Sequence, residues 1–186
     1  MVLRESNIIQ LTMNLPDEIP TRTQRSFQEL SDEVANDVDQ PSLLALVGRS
    51  EGIGWDTLLK SQRVLIVSEA GAGKTHECRA EQAALWKAGD AAFYFDLSEL
   101  SRNNLRDLLL YKEEERFNAW LTSQSDIATI FLDSIDELKL TLGSFEGALK
   151  RLNKALAGQL GRVRVVITTR PIPIDYHLVH QLLPKS

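Results

Sequence analysis

One cysteine, Cys78, in 186 residues removes two classes of protein at once. A lone thiol forms no internal disulfide, and no Cys/His spacing resembles a zinc site, so neither a secreted disulfide scaffold nor a structural metal domain is expected. An excess of positive charge is missing as well. Twenty-one Lys plus Arg face twenty-six Asp plus Glu, a formal charge of -5. The chain therefore has no bulk attraction to phosphate backbones or anionic membranes, and nothing in it points directly to nucleic acid. Long hydrophobic runs are absent. Val64 to Val67 and Ile130 to Leu132 fall far short of the roughly 20 apolar residues of a membrane helix. The first stretch carries Arg4, Glu5, Asp17 and Glu18 and no apolar core behind a basic flank, so no export signal is read and a cytoplasmic protein is expected. There is no internal repeat and no low-complexity tract.

What is present is a change of pattern along the chain. Residues 1–49 read as an N-terminal extension, and residues 50–186 as the main body. In the extension, Phe27, Leu30, Val34 and Val38 recur at helical spacing while Glu29, Asp32, Glu33 and Asp37 face away, so one surface helix is expected. Ile8 to Met13 alternates like a short half-buried strand. From Arg63 onward, apolar runs of strand length alternate with helical segments, the mark of an α/β body with a mainly parallel sheet covered on both faces. The expected strands are Arg63 to Ser68, Ala91 to Leu97, Ile127 to Asp133 and Arg162 to Thr169, all rich in β-branched and aromatic residues. The expected helices are Lys74 to Ala88, Leu105 to Leu121 and Ser144 to Ala157. In the first, Ala80, Ala83, Ala84 and Ala88 offer a small-residue face to the sheet. In the last, Phe145, Leu149, Leu152 and Leu156 form a buried stripe.

Directly after the first strand stands Ser68-Glu69-Ala70-Gly71-Ala72-Gly73-Lys74-Thr75, followed by a helix, which is the context a phosphate-binding P-loop requires. Ser68 occupies a position where that motif has glycine. The two glycines let the backbone curl so that successive N–H groups face phosphate oxygens, and the helix N-terminus adds positive potential. Lys74 is the expected cation for the β- and γ-phosphates, and Thr75 the expected hydroxyl ligand of Mg²⁺. The stretch assigned to nucleotide contact runs from Ser68 through His76, and neither His76 nor Cys78 is given a catalytic role. The fold expected is thus a P-loop NTPase three-layer sandwich. No adenine-reading motif is visible, so GTP stays open beside ATP.

The metal needs a carboxylate across from the loop, and Asp133 closes the apolar run Ile130-Phe131-Leu132 at the ligand-binding edge of a parallel sheet. Two carboxylates follow, Asp136 and Glu137, either of which could orient the attacking water. Arg170, at the end of the fourth strand, is a candidate sensor of the γ-phosphate, its strand stopped by Pro171.

SEAGAGKT, FLDSIDEL and VVITTRP, in that order, resemble the NACHT-type NTPases of the STAND class over roughly residues 50–175. Asp133-Ser134-Ile135-Asp136-Glu137 matches that family's second motif position by position. The resemblance implies a nucleotide switch that hydrolyses slowly and controls oligomerisation, in a signalling or antiviral defence protein. It also implies a short helix at Trp55 to Lys60, a sensor role for Arg170, and a first strand lying beside the fourth. Family members continue into a fifth strand and helical domains, so a chain stopping at Ser186 looks C-terminally truncated beside them, and its implied partners are further copies or a longer NACHT protein. The competing reading is a truncated or degenerate interaction module with weak or no NTPase activity. An AAA+ motor would ordinarily carry an acid directly after Asp133, where this chain has Ser134.

Overall fold

The computed structural model describes residues 54–68, 71–133 and 142–169. The expected helix at 26–39, the strand at 8–13 and the loop residues Glu69 and Ala70 lie outside the described residues. So do Asp136, Glu137 and Arg170.

Helix α1 (Trp55–Leu58) leads into β1 (Arg63–Val67), α2 (Lys74–Ala88), β2 (Ala91–Asp96), α3 (Leu97–Leu100), a 3-10 turn (Leu105–Leu108) and α4 (Tyr111–Thr122). Then come β3 (Ala128–Asp133), α5 (Leu142–Ala155), a second 3-10 turn (Leu160–Arg162) and β4 (Val163–Thr169). The sheet is parallel at every pairing, in the order β1-β4-β3-β2. The expected neighbour relation of the first and fourth strands is therefore observed, with Val67 opposite Thr169.

The alternation of each strand divides the sheet into two faces. One carries Phe93, Phe95, Ile130, Leu132, Val163, Val165 and Ile167, and is covered by α3, the first 3-10 turn, α4 and α5. The other carries Val64, Ile66, Phe131 and Val166, and is covered by Trp55 of α1 and by α2. This is the three-layer α/β arrangement anticipated. It follows from β-branched and aromatic runs that are apolar on both sides, which only helices on both faces can bury. All six residues of β3 are buried, as a central strand requires.

Strand ends shift by one residue from expectation, and the shift at Leu97 has a visible cause. The Asp96 carboxylate accepts a hydrogen bond from the Ser98 N–H at 2.6 Å, capping α3 and ending the strand. The single helix expected over Leu105 to Leu121 is two elements. Glu113 reaches back to the Leu110 N–H at 2.8 Å and starts a new helix there. The break lets Leu105 of the turn and Phe117 of α4 enter the same core. Along α5 and one residue past its end the expected stripe holds: Leu149, Leu152 and Leu156 are fully buried and Phe145 partly so.

Helix α2 matches its expected span, but the face it buries is different. Glu77, Cys78, Ala80 and Glu81 are buried, Ala83 and Ala84 only partly, and Ala88 is exposed. A helix of 15 residues runs about 22 Å, slightly longer than the six-residue β2 and β3, at about 20 Å. Its last turn therefore overhangs the sheet, where Leu85 and Ala88 border an open cavity of about 620 Å³ at the N-terminal ends of the strands. That cavity is at the opposite end of the sheet from the glycine-rich loop. Among the described residues, no helix is long and apolar enough to cross a membrane.

Candidate functional site

The loop between β1 and α2 leaves the sheet at its C-terminal edge. The Ser68 N–H donates to the Thr169 carbonyl at 3.1 Å, so Ser68 prolongs the β1–β4 pairing by one bond before the chain turns away. Gly71 and Gly73 have φ of 76° and 83°. For residues with a Cβ this left-handed conformation costs about 1–2 kcal/mol each, which explains why the sequence places glycine at both. At Gly71 an added Cβ would meet nothing within 4 Å, so the requirement there is conformational rather than one of space.

Gly73 is also the N-cap of α2 and brings no side chain to cap it. The first-turn N–H groups are thereby directed at the loop's mouth, where helix geometry and the macrodipole favour an anion. Lys74, the first residue of the helix, is half-buried. Its Nζ donates to the Ser68 carbonyl at 2.7 Å, folding the cation across the loop. Thr75 is next, and its hydroxyl donates to Asp133 Oδ2 at 2.5 Å. Two residues 58 positions apart in the chain are thus joined directly. His76, next in the same turn, is exposed, and among the described residues its side chain makes no hydrogen bond to the loop.

Asp133 is the centre of the site. At the end of the fully buried β3, it is 3% exposed and accepts three hydroxyl hydrogen bonds. Thr75 and Tyr94 share Oδ2, each at 2.5 Å, and Thr168 of β4 donates to Oδ1. Several donors on one carboxylate hold it in one orientation. The Tyr94 hydroxyl is pushed well above its usual pKa by burial, then by the hydrogen bond to Asp133 and that group's charge, against a smaller opposing effect of Arg79. It is a donor throughout the neutral range. The Arg79 guanidinium lies 3.9 Å from the centre of the Tyr94 ring. Cys78, on the buried side of α2, has its thiol raised by burial first and then by the charges of Asp133, Glu77 and Glu81. It is an inert core thiol.

Sequence reasoning named Thr75 and Asp133 together and missed Tyr94 and Thr168. Both are strand residues whose relation to Asp133 depends on the strand order. Only when β3 lies between β2 and β4 does Asp133 meet hydroxyls from both sides, with Asp96 paired to it in register and Tyr94 two residues earlier on the same face.

Among the described residues no group of three or more His, Cys, Asp or Glu side chains could hold a metal by itself. Magnesium does not require one. It takes hard oxygens, commonly one or two from protein, and completes its shell with water and phosphate. The Thr75 hydroxyl and the Asp133 carboxylate, side by side at the loop, are donors of that kind.

No known family's sequence profile matches the chain, and no curated protein matches its sequence. Among solved structures, it is similar to the Orc1 protein of Aeropyrum pernix, determined in complex with DNA, at 18% identity and a TM-score of 0.41. The match covers 92% of this chain and 46% of that one, so this chain spans less than half the length of the Orc1 chain.

Proposed function

We propose that this protein binds a nucleoside triphosphate with Mg²⁺ in the loop 68–76 and hydrolyses it slowly as the switch domain of a signalling or defence protein of the NACHT type. The observation that carries the reading is the hydrogen bond from Thr75 to Asp133. It joins the hydroxyl of a glycine-rich loop at a helix N-terminus to the carboxylate of a central strand, the two protein oxygens that phosphoryl-transfer chemistry asks to stand together.

In this reading Gly71, Ala72 and Gly73 present backbone N–H groups to the phosphates. Lys74 leaves the Ser68 carbonyl for the β- and γ-phosphates. Mg²⁺, when bound, neutralises charge on those phosphates, held by Thr75 and, directly or through water, by Asp133. Asp136 or Glu137 positions the attacking water, and Arg170 senses the γ-phosphate. Those three roles rest on the motif resemblance. The helices that follow β1 and β3 cover opposite faces of the sheet, the arrangement in which ligands of parallel α/β sheets bind at the C-terminal ends of the strands.

The test is binding of a fluorescent ATP analogue by wild type and Lys74→Ala. Lysine is the one cation the motif places in the loop, and phosphate contacts carry most of the affinity. The variant should lose at least about 100-fold, roughly 2.8 kcal/mol at 1.4 kcal/mol per decade. Equal affinity in the two proteins would overturn the assignment of the loop. A parallel titration with the GTP analogue reads the base preference.

A further inference from the structure

We propose that Tyr94 is a positioning residue for the metal carboxylate: its hydroxyl, donated from the neighbouring strand, fixes the orientation in which Asp133 meets Mg²⁺. This rests on the P-loop reading above.

Several observations single Tyr94 out. Its side chain is half-buried beside the cluster of Trp55, Val64, Ile66, Phe131 and Val166, a packing role that phenylalanine would fill equally well. The hydroxyl is the part that packing does not need, and it makes a 2.5 Å hydrogen bond to Asp133. The strand supports the aim of the ring, since Tyr94 is paired in register with Phe131, two residues before Asp133 on the adjacent strand. Arg79, one turn beyond Thr75 on α2, stacks 3.9 Å from the ring centre and braces it from the outer side. The ring is therefore held by the sheet, by the helix and by the carboxylate.

The geometry at Asp133 gives this hydroxyl a specific task. Thr75 donates to the same oxygen, Oδ2, and is the group that turns toward Mg²⁺ when the metal is held. The carboxylate would then give up the Thr75 donor. Thr168 on Oδ1 and Tyr94 on Oδ2 remain, one from each flanking strand, and together fix both oxygens in the plane they already occupy. Removing the Tyr94 hydroxyl takes a strand-borne donor from Oδ2, the oxygen that also faces Thr75, and loosens the hold on the carboxylate's rotation about its last bond. Partners that orient a metal-binding carboxylate typically account for about 10–100-fold in metal affinity.

The experiment uses the full chain and Tyr94→Phe, with a fluorescent ATP analogue as probe. Binding is measured first in EDTA and then as Mg²⁺ is titrated at fixed analogue. The result expected is a Mg²⁺ midpoint at least about 10-fold higher in the variant, with nucleotide affinity in EDTA and the ligand-free melting temperature both close to wild type. Superimposable Mg²⁺ titrations would overturn the proposal. So would an equal loss of affinity in EDTA and in Mg²⁺, since a merely structural residue would weaken both. Failure of the P-loop reading is distinguishable. Wild type would then bind no analogue in Mg²⁺ and would match Lys74→Ala, and both readings would fall together.

Discussion

Replacing Asp133 by asparagine keeps the shape of the strand end and removes its charge, which separates two roles of the site. The native carboxylate accepts from Thr75 and Tyr94 at Oδ2 and from Thr168 at Oδ1. An amide oxygen in the place of Oδ2 still accepts twice. An amide nitrogen in the place of Oδ1 can only donate, so the fully buried Thr168 hydroxyl must turn and accept. Hydrogen bonds to a charged group contribute about 1 kcal/mol more than neutral ones, so the three lose about 3 kcal/mol together. The variant is also relieved of desolvating a carboxylate at 3% exposure, a cost of several kcal/mol. The two nearly cancel, and the ligand-free melting temperature should move by no more than about 4 °C.

The response to ligand does not cancel. If the proposed site binds Mg-ATP, ligand at 100 times its Kd should stabilise wild type by about 2.7 kcal/mol, which is about 5–10 °C for a chain of this size. Asp133→Asn should show the same small shift with ATP in EDTA and in Mg²⁺, because the metal's contribution is what the charge secures. Thermal melts of both proteins with ATP, with and without Mg²⁺, measure this directly. A variant that gains as much from Mg²⁺ as wild type does would refute the metal role of Asp133. A ligand-free loss above about 4 kcal/mol would refute the cancellation and show the carboxylate to be chiefly a structural hub.

Two further predictions concern the body that carries the site. Phe93→Ala empties a fully buried position where the ring meets Trp86 at 6.2 Å and Phe117 at 5.4 Å, both edge-on, and should cost about 3–5 kcal/mol in urea unfolding; a loss below about 1 kcal/mol would contradict the packing described. Cys78 is the chain's single thiol, 1% exposed and with its pKa raised, so the reactive thiolate is suppressed by both access and charge. Labelling by a thiol reagent at neutral pH should be at least about 100-fold slower in the native protein than in urea, and rapid stoichiometric labelling of the native protein would exclude the placement of α2.

Much of this was legible in the sequence, for reasons that can be traced residue by residue. Strand positions could be read because Ile130-Phe131-Leu132 and Val165-Val166-Ile167 are apolar on both faces, a pattern that only a doubly covered strand shows. The loop could be read because Gly71 and Gly73 must adopt positive φ, and few residues but glycine do so. What could not be read depended on three-dimensional neighbours. The split at Leu110 hangs on one carboxylate reaching back from Glu113, a local choice that helical periodicity across Leu105 to Leu121 conceals. The alanine face of α2 misled because helical spacing says which residues share a side but not where the sheet beneath ends. Ala88 is on the expected side and beyond the edge. Tyr94 and Thr168 were invisible as site residues because each is an ordinary strand residue until β3 is placed between their strands.

The same strand placement sets what the proposed nucleotide switch would act on. Asp133 collects hydroxyls from α2, β2 and β4, so one carboxylate ties the helix that opens the loop to both flanking strands. If Thr75 leaves for a metal, the bond lost at Asp133 is one between helix and sheet, while the Gln82 side chain still donates to the Ala92 carbonyl and the two bonds from Tyr94 and Thr168 within the sheet persist. Each hydrogen bond to a charged group contributes about 1.5–3 kcal/mol, comparable to the coupling energies by which one site influences another. The difference between loaded and empty states would thus fall on the contact between α2 and the sheet, with the strand order and register left unchanged. The buried face of α2 carries Glu77 and Glu81 along with Ala80, and two carboxyl-bearing side chains in a helix–sheet contact make that contact more sensitive to a change in nearby charge than an all-alanine face would be.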